Sequence, residues 1–214
     1  MSFHIEINNL IVNKGNFHLR IEHLSIKSSF LFVIEGASGS GKTTLLKSLI
    51  GVERTNPDFS WFLDGDPMHT KSLSERRMGV VFQGLVLFPH MTVFENILFA
   101  QKSGNVGEVE MLLNEFKLDH CRNTLAAQIS GGERQRTAIA QVLASHPRIV
   151  FLDEPFSGLD EETKEQSRRF VFSALKHQGI PLVLITHDRS DYLGEAASVI
   201  RMVGGSIVEA RSLN

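Results

Sequence analysis

The segment GASGSGKT, positions 36–43, combines three glycines with a lysine and a threonine. Gly36, Gly39 and Gly41 open backbone conformations closed to other residues, so successive N–H groups can point into one concavity. An apolar run, FLFVIEG (30–36), leads into the segment, and TTLLKSLIG (43–51) leaves it as a helix whose positive end favours a phosphate. Lys42 adds a mobile ammonium for β- and γ-phosphates, and the Thr43 hydroxyl is placed to bind Mg²⁺. Ala37, Ser38, Ser40 and Thr44 complete the lining. A glycine-rich turn that happens to hold a lysine is the plain alternative, but strand before and helix after favour a nucleoside triphosphate with Mg²⁺.

A second group is acidic. RIVFLDEP (148–155) ends an apolar run with Asp153 and Glu154. Ligands of parallel α/β sheets gather at the carboxyl ends of strands, and adjacent acids leaving an apolar strand are costly unless a cation uses them. Asp153 fits holding Mg²⁺ through water. Glu154 fits orienting or deprotonating the water that attacks a γ-phosphate, because phosphoryl transfer needs chiefly positioning and charge compensation. A strand ending in a solvated acidic turn would look the same. The stretch ISGGERQ (129–135) is a third candidate: Ser130, Gly131 and Gly132 ahead of a helix form another backbone surface suited to an anion. Ser130-x-x-Glu133 is equally a capping box, and the two readings are compatible.

The elements that must position these groups follow from hydrophobic period. Residues 3–35 read as a β meander, with Ile5 and Ile7, then Phe17, Leu19 and Ile21, alternating with polar residues around the turn NKGN (13–16). FLFVIEG, GVVF (79–82), RIVFLDE (148–154) and PLVLITH (181–187) read as strands buried on both faces. Gly51 is a plausible C-cap, and SVIRMV and SIVEA flank Gly204–Gly205 as a hairpin. Between Gln83 and Pro147 the pattern turns helical. TVFE (92–95) and SGGE (130–133) match the capping box, and Ala138, Ile139, Val142 and Leu143 form a helical stripe. The expected class is α/β, with a mostly parallel sheet, an antiparallel N-terminal β subdomain and an inserted helical subdomain.

Bulk properties narrow the function. A length of 214 residues suits one domain, and 42% hydrophobic content supports a sizeable core. A net charge of -2 offers no basic field for gripping nucleic acid. The nine histidines are scattered, with no pair at metal-site spacing, and His187 alone among them is read as functional. The single cysteine, Cys121, excludes an intrachain disulfide and fits a reducing compartment. MSFHIEINN lacks the features of a secretory leader, and no apolar run is long enough to span a bilayer, Val80–Ala100 being broken by polar residues.

In order along the chain, GASGSGKTT (36–44), VVFQ with Gln83, ISGGE (129–133), IVFLDEP (149–155), SGLD (157–160) and LITHD with His187 resemble the nucleotide-binding subunit of ATP-binding-cassette (ABC) transporters. The likeness covers nearly the whole chain. It implies a P-loop NTPase core over 1–84 and 148–214, with a helical insertion over 85–147. It also implies a head-to-tail dimer, each ATP sandwiched between one copy's phosphate loop and the other's signature residues. Ser130, Gly131 and Gly132 would then face the γ-phosphate held by a second copy, identical or not. Gln83 would touch Mg²⁺ or the attacking water, and His187 the γ-phosphate. Asp160 would sit at the dimer interface, where an ordinary N-cap for a helix from Glu161 is the alternative.

The resemblance has departures. Ile129 and Glu133 stand where relatives more often carry Leu and Gln, and Glu133 brings a negative charge near the partner's phosphate. Relatives stack adenine on an early aromatic; Phe17 is the nearest candidate, and it also reads as an inward residue of its alternation. Val86, Leu87, Phe88 and Pro89 would form an apolar cup for a coupling helix of a permease subunit. LFPHMTVFENI looks most like importers that work with an extracytoplasmic solute-binding protein. The implied place is the cytoplasmic face of the membrane, peripheral, with no C-terminal regulatory domain expected after SIVEA. A non-importer membrane machine and a soluble ABC protein acting on nucleic acid or ribosomes are the alternatives.

Overall fold

The computed structural model describes residues 2–84, 87–101 and 103–213. In chain order the first elements are β1 (Phe3–Lys14), β2 (Phe17–Ser28), β3 (Leu31–Glu35), α1 (Lys42–Ile50), β4 (Ser60–Leu63), β5 (Asp66–Pro67), α2 (Leu73–Arg76) and β6 (Met78–Val81). There follow α3 (Val93–Ala100), α4 (Val106–Glu115), α5 (Gly131–Ala144), β7 (Ile149–Asp153), α6 (Glu161–His177), β8 (Leu182–Thr186), β9 (Ala197–Val203) and β10 (Ser206–Leu213). They divide into two compact units, Met1–Met78 with Pro181–Asn214, and Gly79–Ile180.

In the first unit β1 and β2 pair antiparallel from Phe3↔Ser28 to Lys14↔Phe17, closed by the expected turn. The alternation puts Ile5, Ile7, Leu10 and Leu19 fully inside. The other edge of β1 takes β4, with Ile5 opposite Leu63 and Ile7 opposite Trp61, and β5 lies beyond. Neither β4 nor β5 is foreseen in the sequence, because SWFL and DP are too short to display a period.

β3 leaves the meander. All five of its residues are buried, which requires cover on both faces. It lies between β8 and β9, parallel to both, and β10 pairs antiparallel with β9 as the predicted hairpin. α1 starts from Gly41 in the left-handed region and ends at Gly51, whose N–H donates to the Lys47 carbonyl at 3.0 Å. Its last turn has a second cap that sequence does not reveal. Arg76, buried in α2, donates to the carbonyls of Leu49 at 2.9 Å and Ile50 at 2.6 Å. Burial lowers the pKa of this guanidinium, so the carbonyls compensate a charge held out of water.

In the second unit β6 and β7 are neighbours and α3 to α6 surround them in sequence. Both predicted capping boxes form, at Thr92/Glu95 and Ser130/Glu133. Along α5, Ala138, Ile139 and Leu143 are buried and Val142 is half-buried. Asn96, fully buried in α3, uses its side chain as a clamp on the preceding loop. It accepts from the Phe88 N–H at 2.8 Å and donates to the carbonyls of Phe88 at 3.1 Å and Thr92 at 2.9 Å. Among the described residues no helix is long and apolar enough to cross a membrane.

Replacing Arg76 with methionine removes two charge-assisted bonds from the end of α1, and the expected loss is about 2–3 kcal/mol of stability. Urea unfolding, with amide exchange of the last turn of α1, reads this; an unshifted midpoint with unchanged protection would show that Arg76 is no cap.

Candidate functional site

In the first unit the segment 36–44 is a loop closed on itself. Lys42 is 6% exposed, and its ammonium donates back to the carbonyls of Gly36 at 2.6 Å and Ala37 at 3.1 Å. The Ser40 N–H donates to Ala37 O at 3.2 Å, while the Ser40 carbonyl accepts from the Gly205 N–H at 2.9 Å. The hairpin tip between β9 and β10 therefore braces the loop, a contact that local sequence cannot show. The tip also runs tight against β2, where an added Cβ at position 205 would collide with the His18 backbone. Gly41 has φ 106, and a Cβ there would lie 2.8 Å from the Phe17 ring, so half-buried Phe17 flanks the start of α1 as well as heading its inward row.

Ala37, Ser38, Gly39 and Thr43 are exposed on the open side, with Thr44 half-buried. Ser40 Oγ is buried with no hydrogen-bond partner among the described residues. A backbone concavity at a helix N-terminus, holding an orphaned hydroxyl and an ammonium that can swing from carbonyls to an anion, fits a triphosphate chain. His187 is brought to the same loop: it lines a cleft of about 520 Å³ with Gly36, Ala37, Ser38, Arg189 and Arg201.

Glu35, in the same cleft wall, was not singled out by sequence reasoning. It accepts from the Tyr192 hydroxyl, and from Arg189 and Arg211 at 3.1 Å each. Burial by itself would raise its pKa, but the tyrosine and the two guanidiniums outweigh this and hold the carboxyl below the usual range. Burial, reinforced by the neighbouring carboxylate, pushes the Tyr192 hydroxyl up to about 12. The cluster pins the end of β3, where the loop begins, to β10 and to the turn after β8. One acid inside an otherwise apolar run was the available signal.

In the second unit β7 ends in buried Asp153, and Glu154 follows in the left-handed region at φ 51. The Glu154 carbonyl accepts from the Ser157 N–H at 3.2 Å and hydroxyl at 2.9 Å, so a tight turn holds this strained residue. A cleft of about 420 Å³ brings together Gln83, Glu154 and Gly131, with Gln135 and Gly158 in its wall. Ser130, Gly132 and Asp160 are not among its lining residues. Gln135, buried and also unforeseen, donates from Nε2 to Pro155 O at 2.8 Å and ties α5 to the Glu154 turn.

The capping reading of ISGGE is realised. Ser130 Oγ accepts from the Glu133 N–H at 3.3 Å and donates to Glu133 Oε2 at 2.7 Å, and the Ser130 N–H reaches the same oxygen at 2.8 Å. These bonds from Ser130, with a further one from His120, hold the Glu133 pKa at about 2. Asp160 caps α6, accepting from the Thr163 N–H at 3.0 Å; the Thr163 hydroxyl first, and this N–H second, keep its carboxyl below the usual range. Of the expected apolar cup, Val86 lies outside the described residues, Leu87 and Phe88 are half-buried and Pro89 is exposed. Phe88 meets Phe99 edge-on with ring centres 4.7 Å apart.

Comparison with known proteins adds a decisive match: residues 19–157 fit the ABC transporter family. The chain belongs to that family. The matched span takes in the phosphate loop, Gln83, the signature residues and the acidic pair; Phe17, Asp160 and His187 lie outside it. The chain is 37% identical over 214 residues to the sulfate/thiosulfate import ATP-binding protein CysA 2 of Agrobacterium fabrum, covering 96% of this chain and 62% of that one. It is 36% identical over 211 residues to the spermidine/putrescine import ATP-binding protein PotA of Chromobacterium violaceum, covering 95% and 58%. The chain thus spans about three fifths of the length of these curated relatives. A dimeric structure of the ATP-binding cassette MJ0796, in a post-hydrolysis state with ADP and Pi, matches it with a TM-score of 0.81 at 25% identity, over 98% of this chain and 99% of that one.

In this ABC chain the signature helix depends on an ionised cap. Because the folded pKa of Glu133 is depressed, its stabilisation is full above the ordinary glutamate range and is lost as the pH falls toward about 2. In urea unfolding across that window, Glu133→Gln should lose stability less steeply with acid than the unaltered chain. Equal slopes would remove the cap from the account.

Proposed function

We propose that this chain is the ATP-binding and ATP-hydrolysing subunit of an ABC transporter, powering solute import through separate membrane subunits. The carrying observation is the phosphate loop: a backbone concavity with Lys42 folded over it, in a chain of this family. Gly36 to Thr44 hold the triphosphate, and Phe17, against Gly41, is placed to meet the base. Thr43, Gln83 and Asp153 serve Mg²⁺, Asp153 through water; hydroxyl, amide and carboxylate oxygens are the hard donors that ion takes. Glu154, fixed by its tight turn, orients or deprotonates the attacking water, and His187 contacts the γ-phosphate.

Ser130, Gly131 and Gly132 complete the nucleotide site of a second copy, with Asp160 at the interface; the dimeric state of the MJ0796 cassette supports this arrangement. The Ser130 hydroxyl already serves Glu133, so the N–H of Gly132 and the end of α5 are the groups most available to a partner's phosphate. ATP closes the dimer and hydrolysis releases it, since closure is favoured only while the γ-phosphates are present. Residues 85–147 form the insertion that meets the permease, at Phe88 and its neighbours, and residues 1–84 and 148–214 the core. The assembly sits on the cytoplasmic face of the membrane and is fed by an extracytoplasmic binding protein.

Import follows the names of both relatives, whose solutes are an anion in one case and polyamines in the other. Comparable identity to both leaves solute choice to the other subunits.

Substituting Glu154 with glutamine should cut ATP turnover by about 10²–10⁴-fold while ATP stays bound, trapping a dimer in sizing chromatography. Lys42→Ala should lose nucleotide binding. Normal hydrolysis by either variant would overturn the assignment.

A further inference from the structure

His120 and Cys121 have no part in the nucleotide reading, yet they meet Glu133 at the first turn of α5. The imidazole nitrogen, the thiol sulfur and a carboxylate oxygen all lie within 4.8 Å of one another. His120 and Cys121 are adjacent in a short 3₁₀ turn, Asp119–Cys121, and Glu133 comes from the helix facing it. Tetrahedral Zn²⁺, with bonds of about 2.0–2.3 Å, sets its ligand atoms roughly 3.3–3.8 Å apart. Movements of about an ångström would bring these three donors to that spacing.

The carboxylate is already divided between two tasks. Oε2 takes both bonds from Ser130, while Oε1 faces His120 Nε2 at 2.7 Å. An ion between Oε1 and the imidazole would leave the helix cap intact, and the Ser130 bonds would orient the ligand from behind. Cys121 lies buried beneath and the His120 side chain is 64% exposed, which gives an ion an entry path and a coordination position open to water. Among the described residues the thiol donates a weak hydrogen bond to the Leu118 carbonyl at 3.4 Å. Burial raises its pKa, so it rests as a thiol rather than a reactive thiolate. Sulfur, imidazole and carboxylate together suit Zn²⁺ and not Mg²⁺, which demands oxygen.

We propose that His120, Cys121 and Glu133 bind a thiophilic divalent cation of the Zn²⁺ class, separately from the Mg²⁺ of the nucleotide site. As the metal–sulfur bond forms, the thiol proton leaves to solvent. The ion clamps the 3₁₀ turn to the helix that opens with Gly131 and Gly132. Binding itself does not rest on the proposed ATPase function; a consequence for turnover would.

The purified full chain, free of chelators, is titrated with Co²⁺ and then Zn²⁺. A stoichiometric thiolate-to-cobalt charge-transfer band, displaced by Zn²⁺ but not by excess Mg²⁺, is expected. Cys121 is the one cysteine of the chain, so the band reports on it alone. Cys121→Ser should abolish the band, and the surface variant His120→Ala should weaken Zn²⁺ by about tenfold or more against a chromogenic chelator. No band in the unaltered chain, displacement by Mg²⁺, or undiminished Zn²⁺ affinity in His120→Ala would overturn the site. None of these readouts depends on ATP hydrolysis, so failure here and failure of the nucleotide assignment are told apart.

Discussion

A cradle lined with backbone N–H groups presents no side chains toward the anion, so its shape must be held from behind and from its edges. That constraint organises the first unit. Lys42 draws in the carbonyls of Gly36 and Ala37, and the hairpin tip at Gly205 grips Ser40. Phe17 fills the space beside Gly41, and Glu35 fastens the strand end from which the loop departs. Arg76 secures the far end of the helix that follows. Each brace comes from a different part of the chain, and each lets the glycines remain side-chain-free toward the anion.

The second unit solves a related problem with charge. A helix N-terminus that opens on two glycines must satisfy its own first N–H groups without filling the space in front of them. Glu133 does this from the third helical position, taking the Ser130 N–H and hydroxyl on one oxygen. Gly131 and Gly132 stay open beyond it. The Glu133 carboxylate is thus engaged by the helix start on one oxygen and by His120 on the other.

Gln135 and Asn96 show how polar residues inside the second unit fix loops rather than helices. Gln135 holds the Glu154 turn through Pro155 O, and Asn96 holds the segment from Phe88 to Thr92. Both are fully inside, where a buried amide's hydrogen bonds discriminate one backbone arrangement from others more sharply than apolar contact does.

What the chain determined by itself is local: the glycine loop between a buried strand and a helix, the capping boxes at Thr92 and Ser130, the Gly204–Gly205 hairpin, the alternation of β1 and β2 and the acid pair after β7. These rest on interactions within a few residues, where backbone sterics and period leave few choices. Tertiary structure decided the rest. It paired β1 with β4 across the intervening β2, β3 and α1, set Glu35 against Tyr192 and two arginines, gave α1 its cap from Arg76, and gathered His120, Cys121 and Glu133. Those contacts join residues whose separation along the chain carries no signal, because only the packing of whole elements sets the distance between them.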